Sequence, residues 1–479
     1  MFGKVLVANR GEIAIRIFHT LREMDIQTVA VYTEPDAQAL HVRTADESRP
    51  IKSYLDAADI VRVARNDGAD AIHPGYGFLS ENPLLAAACE SSGLTFIGPR
   101  AETIRQMADK LESKRVMERA GIPVVPSWER EPPVSEFPVL VKAVGGGGGK
   151  GMRLVERPSD LPSAMASASH EARQAFGDDR VFVEKYIRCP RHIEFQILGD
   201  SNGNVTHLFE RECSIQRRHQ KIIEETPSTA LTPGLRTRMA EAAVAAARAV
   251  AYLNTGTVEF ILDANGHFYF LEMNTRLQVE HPVTEMTTGT DLVREQVLLA
   301  EGNSLSTDLH DVHQTGHSIE CRIYAEVPEE NFRPSTGTIR IYHPPDGPGI
   351  RLDSGVAEGS VVSFHYDPLL AKLIVWAATR KAAIQRMRHA LEDFVLLGVR
   401  NNIEFLHHVI ANADFTGGRI DTQFIDSHPE FFQFPSNELP LEALLAASLG
   451  SPNPPLSSPH DGRASSFSEV WSAGHWRLV

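Results

Sequence analysis

The chain has 479 residues, a length that accommodates about two to four domains of ordinary size. Hydrophobic residues make up 42% of the chain and charged residues 23%, as in an ordinary globular protein. Its 47 Lys and Arg residues and 62 Asp and Glu residues give a net charge of −15, so we expect no binding to nucleic acid and no association with an anionic membrane. Any anionic substrate must therefore meet a local cluster of basic residues.

Cysteine spacing and the start of the chain bear on its compartment. The four cysteines, Cys89, Cys189, Cys213 and Cys321, form no C-x-x-C pair and suggest neither a disulfide framework nor a zinc site. The first residues, M-F-G-K-V-L-V-A-N-R-G, read as a strand and a turn without a signal-peptide core. No apolar run approaches the roughly 20 residues of a membrane span, and we expect a cytoplasmic protein.

The first hundred residues alternate between strand and helix patterns. Apolar runs at 4–8, 27–32 and 69–73 predict strands, and apolar residues at helical spacing in 11–24 and 84–91 predict helices. This alternation is typical of a parallel sheet with covering helices, a Rossmann-like α/β arrangement. The turn-rich sequence H-P-G-Y-G-F-L-S-E-N follows the third strand. Such a unit alone says little about its ligand.

A boundary is expected near residue 121. A helix predicted at 110–120 ends at Gly121, and the stretch 123–138 is rich in proline. A small α+β segment then reaches to about residue 186, and beyond it strands are predicted at 192–198 and 205–209 and a helix at 236–253. The last residues, 440–479, are rich in Pro, Ser, Gly and Ala and read as a linker or tail.

A run of five glycines lies between Lys142 and Lys150 in V-K-A-V-G-G-G-G-G-K-G-M. Glycine N–H groups approach an anion closely and the lysines supply positive charge, which favours a phosphate chain as ligand. The run is not a P-loop, because Val144 stands where the first glycine of that motif belongs. Strand-like runs at 137–143 and 152–155 predict a hairpin whose glycine tip covers the phosphates as a flap; the alternative is a glycine-rich linker.

A local basic run, E-R-E-C-S-I-Q-R-R-H-Q-K, occupies residues 210–221 of an otherwise acidic chain. It concentrates Arg217, Arg218, His219 and Lys221. By itself the run indicates either an anion site or a solvated basic face, and it favours neither.

The most informative stretch is T-G-T-V-E-F-I-L-D-A-N-G-H-F-Y-F-L-E-M-N-T-R, residues 255–276. Apolar and polar residues alternate on both sides of Asn265-Gly266, which predicts a hairpin. A turn centred there places Glu259 directly opposite Glu272, with Asn274 on the same face. Facing like charges destabilise a sheet unless a cation lies between them, and two carboxylates with an amide oxygen suit Mg²⁺. The alternative is a solvated strand face.

A polar row follows this hairpin. If the strand continued, Glu272, Asn274, Arg276, Gln278 and Glu280 would all point to one side. Such a row is too polar for a core and too regular for a loop, and it is typical of the floor of an active site. Glu280, just beyond the metal positions, is the candidate general base.

Together these runs closely resemble biotin carboxylase, the ATP-grasp enzyme or domain of acyl-CoA carboxylases such as acetyl-, propionyl- or methylcrotonyl-CoA carboxylase. Over about residues 1–435 the shared motifs are N-R-G-E-I-A, H-P-G-Y-G-F-L-S-E-N, K-A-x-G-G-G-G-G-K-G-M, E-K-Y, P-R-H-I-E-x-Q, S-I-Q-R-R-H-Q-K and E-M-N-T-R-x-Q-V-E-H-P-V-T-E. The last two are highly specific, whereas the glycine loop is shared with wider ATP-grasp enzymes.

The resemblance implies a multidomain α/β and α+β fold. The expected parts are an N-terminal Rossmann-like domain at 1–112, an ATP-grasp lid at 113–187, an ATP-grasp core at 188–310, a biotin carboxylase C-terminal domain at 311–435 and a flexible tail or linker at 436–479. Arg333 departs from the usual leucine of the family, and the final V-W-S-A-G-H-W-R-L-V resembles the linker that precedes the carrier domain in longer carboxylase subunits.

The resemblance also implies roles for single residues. The implied ATP contacts are Lys110, Lys142, Gly147, Gly148, Gly149, Met152, Glu184, Lys185, Ile187, His192, Gln216 and His219. The implied metal ligands are Glu259, Glu272 and Asn274, which agrees with the hairpin argument. The implied catalytic residues are Glu280 as general base, Arg276, Lys221 and Arg351. The implied bicarbonate and biotin contacts are Lys221, Arg276, Gln278, Val279 and Arg351.

The implied reaction is the carboxylation of biotin with ATP, bicarbonate and Mg²⁺ or Mn²⁺, two ions being expected. Glu280 would take the bicarbonate proton as carboxyphosphate forms, and Arg276 would stabilise the biotin enolate. The implied partners are a second copy of the chain in a homodimer, a biotin carboxyl carrier protein or domain, and a carboxyltransferase subunit. Two alternatives remain, namely another ATP-grasp carboxylate–amine ligase and a non-catalytic subunit that binds nucleotide and partner.

Overall fold

The structure of the chain is a computed structural model that describes residues 1–145, 151–306, 309 and 311–433. Gly147, Gly148 and Gly149 of the glycine run, and the expected tail at 436–479, lie outside the described residues. Within the described ranges, no helix combines the length and the apolarity needed to cross a membrane.

A parallel sheet covered on both faces occupies the N-terminal part of the chain. Its elements and the adjoining helices are β1 (Lys4–Val7), α1 (Gly11–Glu23), β2 (Gln27–Tyr32), α2 (Leu40–Thr44), β3 (Glu47–Pro50), α3 (Ala57–Asn66), β4 (Ala71–His73), α4 (Pro83–Ser91), β5 (Thr95–Phe96), α5 (Ala101–Ala108) and α6 (Lys110–Arg119). The strands are parallel, in the order β3-β2-β1-β4-β5. Leu6 and Ile72 face one apolar cluster and Val5 and Ala71 face another, so the predicted α/β arrangement is confirmed.

A smaller antiparallel sheet flanks the glycine run. Its elements are β6 (Ser127–Trp128), β7 (Val139–Ala143), β8 (Arg153–Val155), α7 (Leu161–Phe176) and β9 (Val181–Lys185), with the strands in the order β6-β9-β7-β8. β7 pairs with β8 in antiparallel register, Val139 opposite Val155. The predicted hairpin on either side of the glycines is therefore confirmed. Leu161 and Ala168 of α7 join Val139 and Val183 in the apolar cluster of this sheet.

The rest of the described chain is built mainly from antiparallel strands. They are β10 (Arg191–Gly199), β11 (Val205–Arg217), β12 (Gln220–Thr226), β13 (Asn254–Leu262), β14 (Phe268–Asn274), β15 (His317–Tyr324), β16 (Glu326–Val327), β17 (Arg333–Pro334), β18 (Gly337–Thr338), β19 (Ile341–His343), β20 (Ile350–Ser354), β21 (Val361–Val362), β22 (Leu369–Ala377) and β23 (Val395–Leu397). The helices are α8 (Pro233–Ala249), α9 (His281–Thr288), α10 (Leu292–Ala300), α11 (Arg380–Asp393), α12 (Ile403–Ala411) and α13 (Ala413–Thr416).

Eight of these strands form one antiparallel sheet, in the order β14-β13-β10-β11-β12-β15-β22-β20. The pairing of β12 with β15 joins strands of the expected ATP-grasp core to strands of the expected C-terminal domain. Along β10, Ile193 and Phe195 belong to an apolar cluster with α8, whereas the alternate residues His192, Glu194 and Gln196 are buried without belonging to it. Because buried polar groups need partners, this second face is where the sheet gathers charged side chains.

Two elements differ from the sequence prediction by three residues or more at a boundary. β11 runs on to Arg217, since the left-handed residue Phe209 (φ 63°) lies at a bulge within the strand and not at its end. α8 begins three residues and ends four residues earlier than predicted. Its start is fixed by Thr232, whose hydroxyl oxygen accepts a hydrogen bond from the backbone N–H of Leu235 at 3.3 Å.

Candidate active site

The two candidate metal carboxylates face each other across a hairpin. Glu259 of β13 lies directly opposite Glu272 of β14, as the alternation pattern predicts. Nearer the turn, Leu262 pairs with Phe268, which is a register one residue shorter than a turn centred on Asn265-Gly266 would give. A bulge just after Glu259 restores the predicted register. The predicted pairing is therefore correct, although the turn differs by one residue.

The electrostatics of this pair fit a divalent cation. Burial raises the pKa of Glu272, and the like charge of Glu259 raises it further. Glu259 stays ionised: burial alone would raise its pKa, but Lys221 and His192 hold it well below its ordinary value. Asn274 adds an amide oxygen beside these carboxylates, and its Nδ2 donates to Glu259 at 2.8 Å. Two carboxylates and an amide oxygen are the hard ligands that Mg²⁺ and Mn²⁺ prefer.

Lys221 links the candidate metal ligands to the candidate base. Its Nζ donates to Glu194 at 2.6 Å, to Glu259 at 2.8 Å and to Glu280 at 2.6 Å. Burial would lower the pKa of this lysine, but the three carboxylates raise it well above its ordinary value. The lysine is placed here because β11 and β12 turn tightly at Arg218, which has a left-handed backbone, as does the next residue. The basic run is therefore not only a solvated face, since its lysine lies inside the polar face.

β14 does not continue through Glu280. β14 ends at Asn274, since the next N–H, of Thr275, donates to the carboxylate of Glu81 at 3.0 Å and not to a neighbouring strand. The chain then turns, and Glu280 occupies the N-cap position of α9. The polar residues after β14 nevertheless reach the candidate metal pair, because Gln278 donates to Glu259 at 2.8 Å.

Glu280 is a buried carboxylate between two cations. Lys221 donates to its Oε1, and Nη2 of Arg322 lies 3.0 Å from its Oε2. Burial would raise its pKa, but Lys221, Arg322 and Arg211 outweigh burial and hold the pKa far below the ordinary glutamate value. The side chain is therefore ionised and able to accept a proton.

Glu81 holds Arg276 beside Asn274 of the candidate metal site. Its Nε donates to Glu81 Oε2 at 2.9 Å, and its Nη2 donates to the amide oxygen of Asn274 at 2.9 Å. Burial would lower its pKa, and Glu81 raises it above the ordinary value. The backbone carbonyl of Val279 accepts a hydrogen bond from Lys372 at 2.8 Å. The candidate bicarbonate residues thus lie together, and each is fixed by a second side chain.

The candidate phosphate lysines lie at the end of the smaller sheet. Lys142 donates to Glu184 at 3.1 Å, and the buried Lys114 also binds Glu184. Burial lowers the pKa of Lys110, and Lys142 lowers it further while Glu272 opposes the shift. Burial and Lys142 likewise lower the pKa of His219. The sequence assigns Lys110, Lys142, Glu184 and His219 to ATP binding, and in the structure these four residues lie close enough to influence one another electrostatically.

The remaining candidate nucleotide residues lie around this group. Nε2 of Gln216 and Nδ1 of His192 are 3.0 Å apart. Lys185 follows Glu184 on β9, and its Nζ lies 3.0 Å from a carboxylate oxygen of Glu136. Ile187 and Met152 are half-buried, two residues beyond β9 and just before β8 respectively.

Three family models cover most of the described chain. Residues 1–104 match "Biotin carboxylase, N-terminal domain", residues 109–308 match "Carbamoyl-phosphate synthase L chain, ATP binding domain" and residues 320–427 match "Biotin carboxylase C-terminal domain". A pyruvate carboxylase subunit of Methanothermobacter thermautotrophicus is 49% identical over 444 residues, which are 89% of this chain and 90% of that one. This chain belongs to the biotin carboxylase family.

Two further members of the biotin carboxylase family are similar to this chain in sequence, and one of them also in structure. It is 50% identical to the alpha subunit of the mitochondrial methylcrotonoyl-CoA carboxylase of Glycine max, of which it spans only 61%, with 89% of this chain covered. The biotin carboxylase domain of 2-oxoglutarate carboxylase from Hydrogenobacter thermophilus, a dimer in complex with MgADP, ADP and bicarbonate, is 47% identical. The two structures superpose with a TM-score of 0.88 over 91% of this chain and 100% of that one.

Arg351 lies with partners other than the side chains around Lys221. Its Nη1 donates to Glu285 at 2.7 Å and its Nη2 donates to Asp353 at 2.8 Å. Among the described residues, no hydrogen bond or ion pair joins it to Glu280 or Arg276. It therefore stays apart from the side chains that converge on Lys221.

Several site residues escaped the sequence analysis. They are Glu81, Lys114, Glu194, Arg211 and Arg322, all in contact with candidate residues. Glu81 and Glu194 stand inside motifs shared with the biotin carboxylase family, which is a usable signal. Arg322 lies in the strand sequence H-S-I-E-C-R-I-Y, where Ser318, Glu320 and Arg322 alternate with less polar residues, and this polar strand face was the available clue.

Proposed function

We propose that this chain carboxylates biotin, using ATP and bicarbonate and giving carboxybiotin, ADP and phosphate by way of carboxyphosphate. The observation that carries the proposal is Lys221, a buried ammonium that binds both Glu259 of the candidate metal pair and Glu280, the candidate base. Lys221 thus lies between the residues proposed to bind the metal and nucleotide and the proposed base Glu280. A small anion such as bicarbonate, held by Lys221, would be close both to the ATP phosphate and to a proton acceptor. The relatives include carboxylases of pyruvate and of methylcrotonoyl-CoA, and this half-reaction would serve either kind.

Nucleotide binding falls to the lysines around Glu184. Lys142 and Lys114 are paired with Glu184 in the structure, which keeps two ammonium groups in place before ATP arrives. Burial and Lys142 lower the pKa of Lys110, and an anionic phosphate nearby would raise it again. Glu259, Glu272 and Asn274 would hold Mg²⁺ or Mn²⁺, with two ions proposed. The metal, when bound, neutralises phosphate charge.

Bicarbonate is proposed to bind between Lys221 and Arg276, with Gln278 and the backbone of Val279 beside it. These groups are already fixed by Glu194, Glu81 and Lys372, so little reorganisation is needed when the anion enters. Bound bicarbonate shares the charge of Lys221, which in the structure lies 2.6 Å from Glu280. The pKa of Glu280 then rises from its very low starting value, and the carboxylate becomes a better base.

Proton removal and enolate stabilisation complete the proposed reaction. Glu280 accepts the bicarbonate proton at a carboxylate oxygen as carboxyphosphate forms. Carboxyphosphate then breaks down to CO₂ and phosphate, the phosphate takes the proton of biotin N1', and the biotin enolate attacks the CO₂. Arg276 and Arg322 both lie at this pocket with fixed charges that suit an enolate oxygen. Arg351, indicated by the family resemblance, is proposed as a further biotin contact.

We also propose the assembly in which the reaction occurs. The chain would act on biotin carried by a carrier protein or domain, and a carboxyltransferase would pass the carboxyl group to pyruvate or to an acyl-CoA. A homodimer is proposed because the Hydrogenobacter thermophilus domain is a dimer. The domain limits proposed are those given by the resemblance, 1–112, 113–187, 188–310, 311–435 and 436–479.

The decisive experiment measures ATP cleavage with bicarbonate, with and without biotin. A biotin carboxylase releases phosphate slowly without biotin, faster with free biotin and fastest with a biotinylated carrier. A carboxylate–amine ligase would require an amine and ignore biotin. A non-catalytic subunit would bind MgATP and release no phosphate under any of these conditions.

A further inference from the structure

Two buried glutamates lie side by side behind the candidate base. Glu224 of β12 is directly opposite Glu320 of β15 in the antiparallel register, and both side chains are fully buried. The Cβ atoms of such a pair are about 4.5–5.5 Å apart, so the two carboxyl groups are neighbours. Two ionised carboxylates at this distance, away from water, repel each other strongly.

A single guanidinium connects this pair to the base. Nε of Arg322 donates to Glu224 Oε1 at 2.6 Å, while its Nη2 lies 3.0 Å from Glu280 Oε2. Arg322 is therefore shared between two carboxylates of different roles. Whatever changes the charge of Glu224 changes how much of the arginine charge acts on Glu280.

The oxygens that face away from Arg322 have no donor. Glu224 Oε2 and both carboxylate oxygens of Glu320 find no hydrogen-bond partner among the residues that the structure describes. A fully buried carboxylate with no donor is a rare and costly arrangement. A proton on Glu320 removes the difficulty, because its O–H then donates to the open oxygen of Glu224.

The surrounding charges agree with this assignment. The groups that act on the pair from the packed elements are Lys221, Glu280, Arg322 and Lys372, and the pair in turn acts on Cys213, Cys321 and Tyr324. Burial raises the pKa of Glu320 well above its ordinary value, and Glu224 and Glu280 raise it further. Burial raises the pKa of Glu224 to about 7 against the opposing Arg322.

We propose that Glu224 and Glu320 share one proton and that this pair sets the strength of Glu280 as a base through Arg322. The proposal rests on the proposed function, in which Glu280 deprotonates bicarbonate. Glu224 and Glu320 touch no substrate and act as positioning residues. With one proton on the pair, Glu224 is anionic and keeps Arg322 partly engaged, so Glu280 retains its basicity. With a second proton on Glu224, the arginine charge falls on Glu280 alone and weakens it.

Two amide substitutions separate these states. Glu320→Gln keeps an N–H donor toward Glu224 and mimics the pair with its single proton on Glu320. Glu224→Gln removes the anion and mimics the doubly protonated pair. Glu225→Gln is the matched control, because Glu225 is the next residue of β12 and binds His317 and Arg380 instead.

The first measurement is the pH dependence of kcat/KM for bicarbonate, calculated with the true bicarbonate concentration at each pH. The wild-type value should fall as the pH drops through about 7, where Glu224 takes its proton. Glu320→Gln should leave this fall near the same pH, because Glu224 keeps a hydrogen-bond donor and still takes its proton there. Glu224→Gln should lower the value about tenfold at alkaline pH and abolish the fall. Glu225→Gln should leave the pH of the fall unchanged. A fall that persists in Glu224→Gln, or an equal loss in all variants, would show a packing role and overturn the proposal.

The second measurement does not depend on activity. Infrared spectroscopy of the folded wild type in light and heavy water, at alkaline pH, should show the carbonyl stretch of a protonated carboxylic acid. This band should vanish in Glu320→Gln and persist in Glu225→Gln. A spectrum unchanged by Glu320→Gln would overturn the shared proton even if turnover is normal. If the band behaves as expected but the wild type never consumes bicarbonate, the shared proton stands, and both the proposed function and the control over a bicarbonate base are rejected.

Discussion

Nη2 of Arg322 lies 3.0 Å from Oε2 of Glu280, so a fixed positive charge sits against the candidate base. Arg351, the arginine indicated by the family resemblance, binds Glu285 at 2.7 Å and Asp353 at 2.8 Å. Arg322 and Arg351 are thus alternative candidates for stabilising negative charge on biotin during carboxylation. A matched pair of substitutions distinguishes them.

We expect Arg322→Met to lower the rate of biotin carboxylation by about 100-fold, the usual effect of removing one charge-stabilising donor. Methionine preserves the length of the side chain and removes the charge beside Glu280. Arg351→Met is the matched control and should lose less. Carboxylation of free biotin is measured in both variants, together with MgATP affinity, which should change little. A larger loss in Arg351→Met than in Arg322→Met would return the role to Arg351.

The hairpin shows how far alternation along a sequence determines a site. Period-two patterning placed Glu259 opposite Glu272, and the structure confirms this pairing even though the turn is one residue away from the expected position. The bulge after Glu259, which compensates for the shifted turn, cannot be recognised from the alternation of apolar and polar residues. The faces of the strands are set by burial, which the sequence encodes, whereas the turn depends on local backbone geometry.

The residues that the sequence did not reveal lie beyond the range of a local pattern. Arg322 reaches Glu280 only because β15 pairs with β12, and these strands are about 100 residues apart in the chain. Likewise, the polar row after Glu272 would share one face only if the strand continued, but the N–H of Thr275 donates to Glu81 from the N-terminal part of the chain. Both effects are tertiary contacts, and no spacing within either segment predicts them.

Replacing one carboxylate of the candidate metal pair should stabilise the metal-free protein and lower its activity. We expect Glu272→Gln to raise the thermal midpoint of the metal-free protein slightly, because the repulsion from Glu259 is relieved. The gain should be largest at neutral pH and vanish in acid, where the wild-type carboxyl is itself protonated. ATP turnover should fall severely at the same time. Calorimetry without metal and phosphate release across a magnesium titration measure both effects. Unchanged turnover at saturating Mg²⁺ would reject the metal assignment.

Glu280 should matter for bicarbonate more than for nucleotide. We expect Glu280→Gln to reduce bicarbonate-dependent turnover by about 100-fold or more, because the proton acceptor is lost. MgATP affinity should remain close to that of the wild type, since the contacts of Glu280 are with Lys221 and Arg322 and not with the phosphate lysines. Binding titrations and steady-state rates give the two numbers. A parallel collapse of nucleotide affinity would make Glu280 a structural residue or a metal ligand.

The last prediction concerns stability away from the reaction. Glu225 accepts hydrogen bonds from His317 at 2.7 Å and from Arg380 at 2.7 and 3.0 Å, and thereby ties β12 to β15 and α11. Burial alone would raise its pKa, but His317 and Arg380 lower it below the ordinary glutamate value. Glu225→Gln should therefore destabilise the protein by about 3 kcal/mol at neutral pH, because it leaves Arg380 largely buried without its anion. A lowered pKa stabilises the fold above the ordinary glutamate value, about 4.3, and this contribution is lost as the pH falls through the lower folded value. The thermal midpoints of the two proteins should thus differ at pH 7 and converge in acid; a difference that persists unchanged in acid would mean that packing, and not the charge of Glu225, joins these elements.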